Sequence, residues 1–287
     1  MASTLAPSVA SPAVVLRARP ALVVWSLCWR ELIRFARQRN RVVGAVGQPV
    51  LFWLLFGAGL GPTFHMGGGE GSAVTYREYF FPGTLVLILL FTAIFATISI
   101  IEDRREGFMQ TVLVAPIPRW SMVLGKVLGG TLIALAQGVL FLVLGWVTGL
   151  GFSLVGALAV AAFSFLVAFA LTSLGFVIAW RMDSTQGFHA IMSVFLLPMW
   201  LLSGAFFPAD AGVLAWVMWL NPLTYGVAGV RRLLYLHVAD AGLAAPPDWL
   251  TTLPSLPTCL LVTAAFAAVT FGMSCWISGT RTTGDLL

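Results

Sequence analysis

Long apolar stretches separated by short polar segments make up most of this chain. Six of them cover roughly 42–61, 80–101, 121–149, 152–180, 187–207 and 256–279, and each can supply the about 20 mainly apolar residues that a membrane-spanning helix needs. Residues 206–235 are also apolar, but proline, glycine, asparagine and aspartate interrupt them. They predict a re-entrant or interfacial helical hairpin rather than a further span, and a re-entrant hairpin must be buried in protein. The pattern therefore predicts an all-α integral membrane protein with six transmembrane helices.

Composition agrees with this pattern and excludes a soluble domain. Hydrophobic residues make up 59% of the 287 positions and charged residues only 9%, against about 25% charged in soluble proteins. The three cysteines are scattered and form no disulfide or metal-binding pattern, so we expect no metal site. Most basic residues flank apolar stretches, which favours a role in membrane orientation over nucleic-acid binding.

The distribution of basic residues predicts the orientation in the membrane. Thirteen of the 16 Lys and Arg residues lie on the side of the two termini, and only Arg77, Arg231 and Arg232 lie on the opposite side. Because basic residues accumulate on the cytoplasmic side, we expect both termini in the cytoplasm and the protein in the plasma or inner membrane of a prokaryote. Residues 1–20 are rich in Ala, Ser and Pro and predict a flexible tail, and 282–287 form a short cytoplasmic tail.

Residues 21–41 predict an amphipathic helix. At 100° per residue, four arginines fall within a narrow arc and two tryptophans lie on the opposite half: Arg30, Arg34, Arg37 and Arg41 against Trp25 and Trp29. A helix of this kind is suited to the headgroup layer of the cytoplasmic leaflet, with membrane lipid as its partner. The alternative is a charged lead-in that only sets the topology.

The segment between the second and third spans, EDRREGFMQTVLVAPIPRW, holds six of the chain's 27 charged residues in nineteen positions. Its two leading acids suit the positive end of a helix dipole, and Glu102 is spaced to pair with Arg105. Apolar residues at helical spacing follow, and two prolines then stop the helix. The pattern predicts one short cytoplasmic helix over 102–115. Its apolar face fits a groove on a partner or rests on lipid, and physics alone leaves both open.

Two separated motifs add a resemblance. The first contains Glu102, Arg105-Glu106-Gly107, Val114-Ala115-Pro116, Ser121 and Gly125-Lys126, and the second contains 202–208, 221–225 and Arg231. In this order they resemble the permease subunits of type-2 ABC exporters, which include daunorubicin and multidrug-resistance permeases and the permeases that export polysaccharide and teichoic acid. The similarity covers nearly the whole chain outside the N-terminal tail.

The resemblance implies a six-span permease domain over 42–281 that works as a homodimer with two copies of an ABC ATP-binding subunit. It implies that 102–115 is the coupling helix, 21–41 the interfacial helix and 206–235 the extracellular re-entrant region. The coupling residues it implies are Glu102, Asp103, Arg104, Arg105, Glu106, Gly107, Phe108, Met109, Val112 and Leu113. The re-entrant motif residues are Gly204, Pro208, Asn221, Pro222 and Tyr225.

The chain carries no phosphate-binding loop of its own. Its one Gly-Lys pair, Gly125-Lys126, begins a span and is followed by Val127 rather than Ser or Thr. We therefore expect no cofactor in this chain, with ATP and Mg²⁺ on the partner ATPase. Gly125 and Gly129 also form a GxxxG pattern, which is typical of close helix packing.

The span centres contain hydroxyl and amide side chains but no Asp, Glu or Arg, which argues against ion coupling. These residues, among them Thr92 and Gln137, favour hydrogen bonds between helices over a substrate site, and the substrate residues are unknown. We expect export of a hydrophobic, amphipathic or lipid-linked molecule, drug-like or lipid-like. The alternatives are an exporter of undecaprenyl-linked polysaccharide or teichoic acid, and a membrane enzyme or scaffold without transport.

Overall fold

A computed structural model describes residues 19–38, 43–44, 47, 50–55, 59, 76–206, 213–240 and 252–280. Helices dominate these ranges, and no strand occurs within them. In chain order they are α1 (Pro20–Arg37), α2 (Tyr76–Ala96), α3 (Ile98–Arg105), α4 (Phe108–Val114), α5 (Arg119–Val147), α6 (Leu154–Ala179), α7 (Thr185–Trp200), α8 (Val213–Leu220), α9 (Pro222–Asp240) and α10 (Leu256–Gly279). A π-helical turn, Leu201–Ala205, continues α7.

Five helical stretches are long and apolar enough to cross a membrane: Tyr76–Arg105, Arg119–Val147, Leu154–Ala179, Thr185–Ala205 and Leu256–Gly279. They correspond to the second to sixth predicted spans. Most of the predicted first span, 42–61, lies outside the described residues, although 50–55 are helical. A membrane protein with several apolar helices is therefore confirmed, and the count of six stays a prediction.

The second span forms the centre of the bundle. In its most apolar 18-residue stretch 83% of the residues are buried, against 28% for α10, which lies at the edge. It packs against α5 and α6, and the rings of Phe81 and Phe141 stack with centroids 4.6 Å apart. Movement of this helix must therefore disturb most of the bundle.

Buried hydroxyl and amide side chains connect the spans. Thr92 of α2 donates to the side-chain oxygen of Gln137 in α5 over 2.8 Å, and Ser274 of α10 donates to the Ser173 carbonyl of α6 over 3.0 Å. The expected hydrogen bond between helices is confirmed for Thr92 and Gln137, whereas the Ser173 side chain donates to the Phe169 carbonyl of its own helix. Each such bond contributes on average about 0.6 kcal/mol in a membrane.

The apolar, interrupted region after α7 contains two helices. The short α8 and the longer α9 meet at Asn221, and α9 packs against α2, α6, α10 and the π-helical turn. The helix α9 continues to Asp240, beyond the predicted end at 235. That this pair enters the membrane from outside remains a prediction.

Candidate functional site

The charged segment after the second span is divided between two helices. Glu102 to Arg105 continue the span as α3, a turn follows at Glu106 and Gly107, and only then does α4 begin. Gly107 has φ +77°, a left-handed conformation that is strained for residues with a Cβ. The prediction of one helix over 102–115 is therefore wrong, because the glycine ends the span before a new helix starts. Its predicted end is nearly right, since Ala115 is extended before Pro116.

Asp103 is the centre of an ion-pair cluster at this end of the bundle. Its carboxylate is fully buried and accepts two hydrogen bonds from Arg30 of α1, at 2.8 and 2.6 Å. Arg34 donates to it over 2.8 Å, and Lys126 of α5 donates as well. A buried carboxylate is tolerated only with such partners. The hydrogen bonds to Asp103 also raise the pKa of the Arg30 guanidinium above its usual value.

A second buried acid ties α1 to α5. Glu31 accepts a hydrogen bond from Lys126 over 2.5 Å, and both side chains are almost fully buried. The two helices approach closely because Gly125 and Gly129 face α1. A Cβ at Gly125 would lie 2.9 Å from the Leu27 Cβ, and one at Gly129 would lie 2.7 Å from the Glu31 Cβ. The close packing that the GxxxG pattern predicted is confirmed, with α1 as the partner.

The two acids beside Asp103 also bind α1. Arg34 donates to Glu102 over 2.8 Å and reaches Glu106 over 3.5 Å. The predicted pair of Glu102 with Arg105 does not form, since Arg105 instead donates to the Asp183 carbonyl over 3.0 Å. The partner from α1 was invisible to a local spacing rule because it lies 68 positions away along the chain.

Arg104 and Arg105 hold the turn between α6 and α7. Arg104 donates to the Trp180 carbonyl, lies 3.4 Å from the Asp183 carboxylate, and places its guanidinium 5.2 Å from the centre of the Trp180 ring. The segment 102–106 thus connects α1, α5 and the turn after α6. Its charged side chains mainly bind other residues of the same chain.

The helix α4 turns its apolar face toward the protein. Met109 is 1% exposed, and Phe108 lies under the Arg30 guanidinium at 3.7 Å from the ring centre. Val112 and Leu113 also pack on the core. Of these four residues only Met109 is buried, while Phe108, Val112 and Leu113 are half-buried. Most of this face therefore packs on the chain itself, and its contact with a partner stays a prediction. The exposed residues of α4 are Gln110, Thr111 and Val114.

The structure changes the interpretation of α1 as well. Arg30 and Arg34 face acidic side chains of α3 rather than the headgroup layer, because the α3 carboxylates lie within hydrogen-bond distance. Arg37 is exposed, and Arg41 lies outside the described residues. Trp25 and Trp29 are 63% and 52% exposed and stack with centroids 5.9 Å apart. The outer surface of α1 is therefore aromatic with a basic edge.

The motif residues of the predicted re-entrant region meet around Asn221. Its amide donates to the carbonyls of Met199 and Leu202, at 2.6 and 3.2 Å. Pro222 begins α9, Tyr225 donates to the Trp219 carbonyl over 3.0 Å, and Gly204 has φ +74° in the π-helical turn. Pro208 lies outside the described residues. Asn221 thus joins the end of α7 to the start of α9.

Three charged residues that take part in these contacts were not predicted from the sequence as site residues. Glu31 is the one acid in the arginine-rich stretch 21–41, and Lys126 is the chain's single lysine, inside an apolar stretch. Each is an isolated charge in an unexpected setting, which is a signal for a buried partner. Asp183 follows Arg181 in a short turn and carries no such signal.

Comparisons with known proteins agree with this architecture. The family model described as ABC-2 type transporter matches residues 23–235. A protein named putative transport permease ycf38, from Cyanophora paradoxa, is 27% identical over 213 residues, which is 72% of this chain and 72% of that protein. A protein named probable multidrug ABC transporter permease YbhR, from Escherichia coli strain K12, is 24% identical over 179 residues, 61% of this chain and 48% of its own length. The match thus spans about half of that second relative.

Proposed function

The chain belongs to the ABC-2 type transporter family, and we propose that it is the membrane-spanning permease subunit of an ATP-driven exporter. Its cargo would be hydrophobic, amphipathic or lipid-linked and would leave the cytoplasm or the inner leaflet. The name of one relative, probable multidrug ABC transporter permease, favours a drug-like cargo over a lipid-linked glycan. ATP and Mg²⁺ would bind to a partner, since the sequence has no GxxxxGK[ST] loop.

This proposal rests on the way in which α4 follows the second span and packs against the bundle. It follows the end of the most buried span after a two-residue turn, and its inner face is anchored by Met109 and by the stack of Arg30 on Phe108. Gln110, Thr111 and Val114 remain exposed. A short helix held in this way transmits a push on its outer face to the helices behind it.

We propose that the exporter contains two ATP-binding subunits, each of which contacts the α4 of one chain. The contact would be made through Gln110, Thr111 and Val114, with Arg105 and Glu106 at its edge. In a homodimer each ATPase would meet one copy of the chain. Closure of the ATPase pair on ATP would move α4 together with α3, α1 and α5, because Asp103 and Lys126 join them. The second span would then shift against its neighbours and exchange inward-open and outward-open states.

We propose that α1 lies in the cytoplasmic leaflet with its aromatic side toward lipid, so both termini are cytoplasmic in a prokaryotic inner or plasma membrane. The exposure of Leu22, Trp25 and Trp29 supports this placement, since tryptophan is enriched at membrane interfaces. Arg37 at the basic edge would meet the phosphates of anionic lipids.

Site-specific photocross-linking in the complex tests the coupling contact. A photoreactive amino acid at Val114, which is 86% exposed, should cross-link a subunit that carries a phosphate-binding loop. The matched control is Trp146, which is 67% exposed near the far end of α5, and it should give no such product. Cross-linking at Trp146 alone, or transport by the purified chain without nucleotide, would contradict the proposal.

A further inference from the structure

A second buried cation lies at the other end of the bundle, away from the segment 102–107. Arg231 of α9 is 2% exposed and was one of only three basic residues that the sequence placed outside. Burial of a guanidinium is costly, so such residues generally have specific partners. The proposed coupling site does not use this residue.

Among the partners of Arg231 are backbone carbonyls of two spans. Its Nη2 lies 3.4 Å from the carbonyl oxygen of Tyr79 in the first turn of α2 and 3.4 Å from that of Ala205. Ala205 ends the π-helical turn after α7, where the last carbonyls of a helix lack intrahelical donors and attract cations. The guanidinium also lies over the Tyr79 ring, 4.2 Å from its centre. One side chain thus joins the outer ends of the second and fifth spans to α9.

These two outer ends are in direct backbone contact beside Arg231. A Cβ at Gly83 would lie 2.8 Å from the Ala205 Cβ and 2.9 Å from its carbonyl oxygen. Trp200 of α7 donates to the Gly83 carbonyl over 2.8 Å. Ser203 in the same turn is 1% exposed. Among the described residues, the second and fifth spans are therefore in close contact at this level.

We propose that Arg231 is a positioning residue that latches the outer ends of the second and fifth spans, and that cargo leaves only after its bonds to Tyr79 and Ala205 break. Both contacts are 3.4 Å long, and hydrogen bonds of this length are weaker than those near 2.9 Å, which suits a latch that opens and closes. The inference rests on the proposed export function and adds a gate to it, at the end opposite the ATPase.

The neighbouring arginine provides a matched control. Arg232, on the same helix, donates to the carbonyls of Pro254 and Leu253, at 2.5 and 2.6 Å. Both acceptors precede α10, so Arg232 fastens α9 to the chain outside the gate. Arg231→Gln and Arg232→Gln remove the same charge from adjacent positions, but only the first removes a bridge between the second and fifth spans.

The test measures the reactivity of Ser203→Cys in a chain whose native cysteines are replaced by alanine and which still assembles with its ATPase. Right-side-out vesicles with or without ATP inside receive a membrane-impermeant maleimide. Without ATP, we expect Arg231→Gln to speed labelling about tenfold, the change in equilibrium given by one charge-assisted hydrogen bond. Arg231→Lys, which keeps the charge, should give a labelling rate between those of the parent and Arg231→Gln. Arg232→Gln should be labelled at the same rate as the parent. Arg231→Gln should also lower the amount transported per ATP hydrolysed.

Equal labelling of the parent and Arg231→Gln without ATP would overturn the latch. Failure of both Arg231 variants to assemble with the ATPase would also overturn it, since the residue would then serve folding alone. The export proposal is judged separately in the parent, where ATP should accelerate labelling. A parent whose labelling ignores ATP, and which transports nothing, would contradict export even if Arg231→Gln opened the gate.

Discussion

The two ends of this bundle each bury cations, but the contacts described there differ in length. Near Glu102 and Asp103, Arg30 binds the carboxylate of Asp103 at 2.6 and 2.8 Å, and Lys126 binds it as well. At the opposite end, Arg231 reaches the carbonyl oxygens of Tyr79 and Ala205 at 3.4 Å and lies over the Tyr79 ring. Breaking the first arrangement leaves buried charges of both signs, whereas the longer contacts of the second are weaker. The first is suited to a rigid joint and the second to a contact that opens during a cycle.

The largest expected effect comes from removing the centre of the rigid joint. Asp103→Asn leaves Arg30, Arg34 and Lys126 without their shared buried anion, so we expect a loss of about 3–5 kcal/mol in the free energy of unfolding. Arg231→Gln should cost less, about 1–3 kcal/mol. Thermal unfolding of the solubilised complex compares them, with the exposed Asp183→Asn as a silent control. A smaller loss for Asp103→Asn than for Arg231→Gln would reverse the comparison.

The next largest difference should come from a substitution in the Asp103 cluster that keeps the charge. Arg30→Lys keeps the charge but loses the two-pronged contact with Asp103 and the stack on Phe108. We expect lower thermal stability, by about 1–3 kcal/mol, and weaker stimulation of the ATPase by substrate. Arg37→Lys on the exposed edge of the same helix should change neither quantity. If both variants behave alike, the Asp103 cluster does not take part in coupling.

Two glycines offer a finer contrast. Gly83→Ala places a Cβ against Ala205, and such overpacking costs about 1–3 kcal/mol. We expect it to part the outer ends and to raise the labelling of Ser203→Cys. Gly107→Ala meets no neighbouring atom but must adopt φ +77°, at a cost of about 1–2 kcal/mol, so it should reduce coupled ATPase activity and leave labelling unchanged. Identical phenotypes would show that the ends are not distinct.

The smallest effect concerns the packing of α1 on α5. Burial raises the pKa of the Cys28 thiol, and the nearby Glu31 raises it further. We therefore expect Cys28 to react with maleimide far more slowly at neutral pH than Trp29→Cys, which is exposed on the next position. Mass spectrometry of the labelled chain measures both sites. Fast labelling of Cys28 would mean that α1 leaves α5 readily.

The second to sixth spans and the end of α4 could be predicted because their causes are local. A run of apolar residues or a pair of prolines acts within a few positions, and α4 does end just before Pro116. The start of α4 was predicted wrongly at 102, because the effect of Gly107 was not recognised. The orientation of α4 could not be predicted in the same way. Phe108 and Met109 have the periodicity of a docking face, but a helix pattern does not say whether the surface that covers it belongs to a partner or to the same chain.

The amino-acid sequence by itself determined a membrane protein of several apolar helices, an amphipathic α1 and a charged segment after the second span. These follow from hydropathy and helix periodicity, which each segment expresses alone. Only the tertiary structure decided which charges meet. Asp103 binds Arg30 across 73 positions, and Arg231 meets Tyr79 across 152. Burial cost selects such pairs, and it acts only after distant helices have packed and removed the water between them.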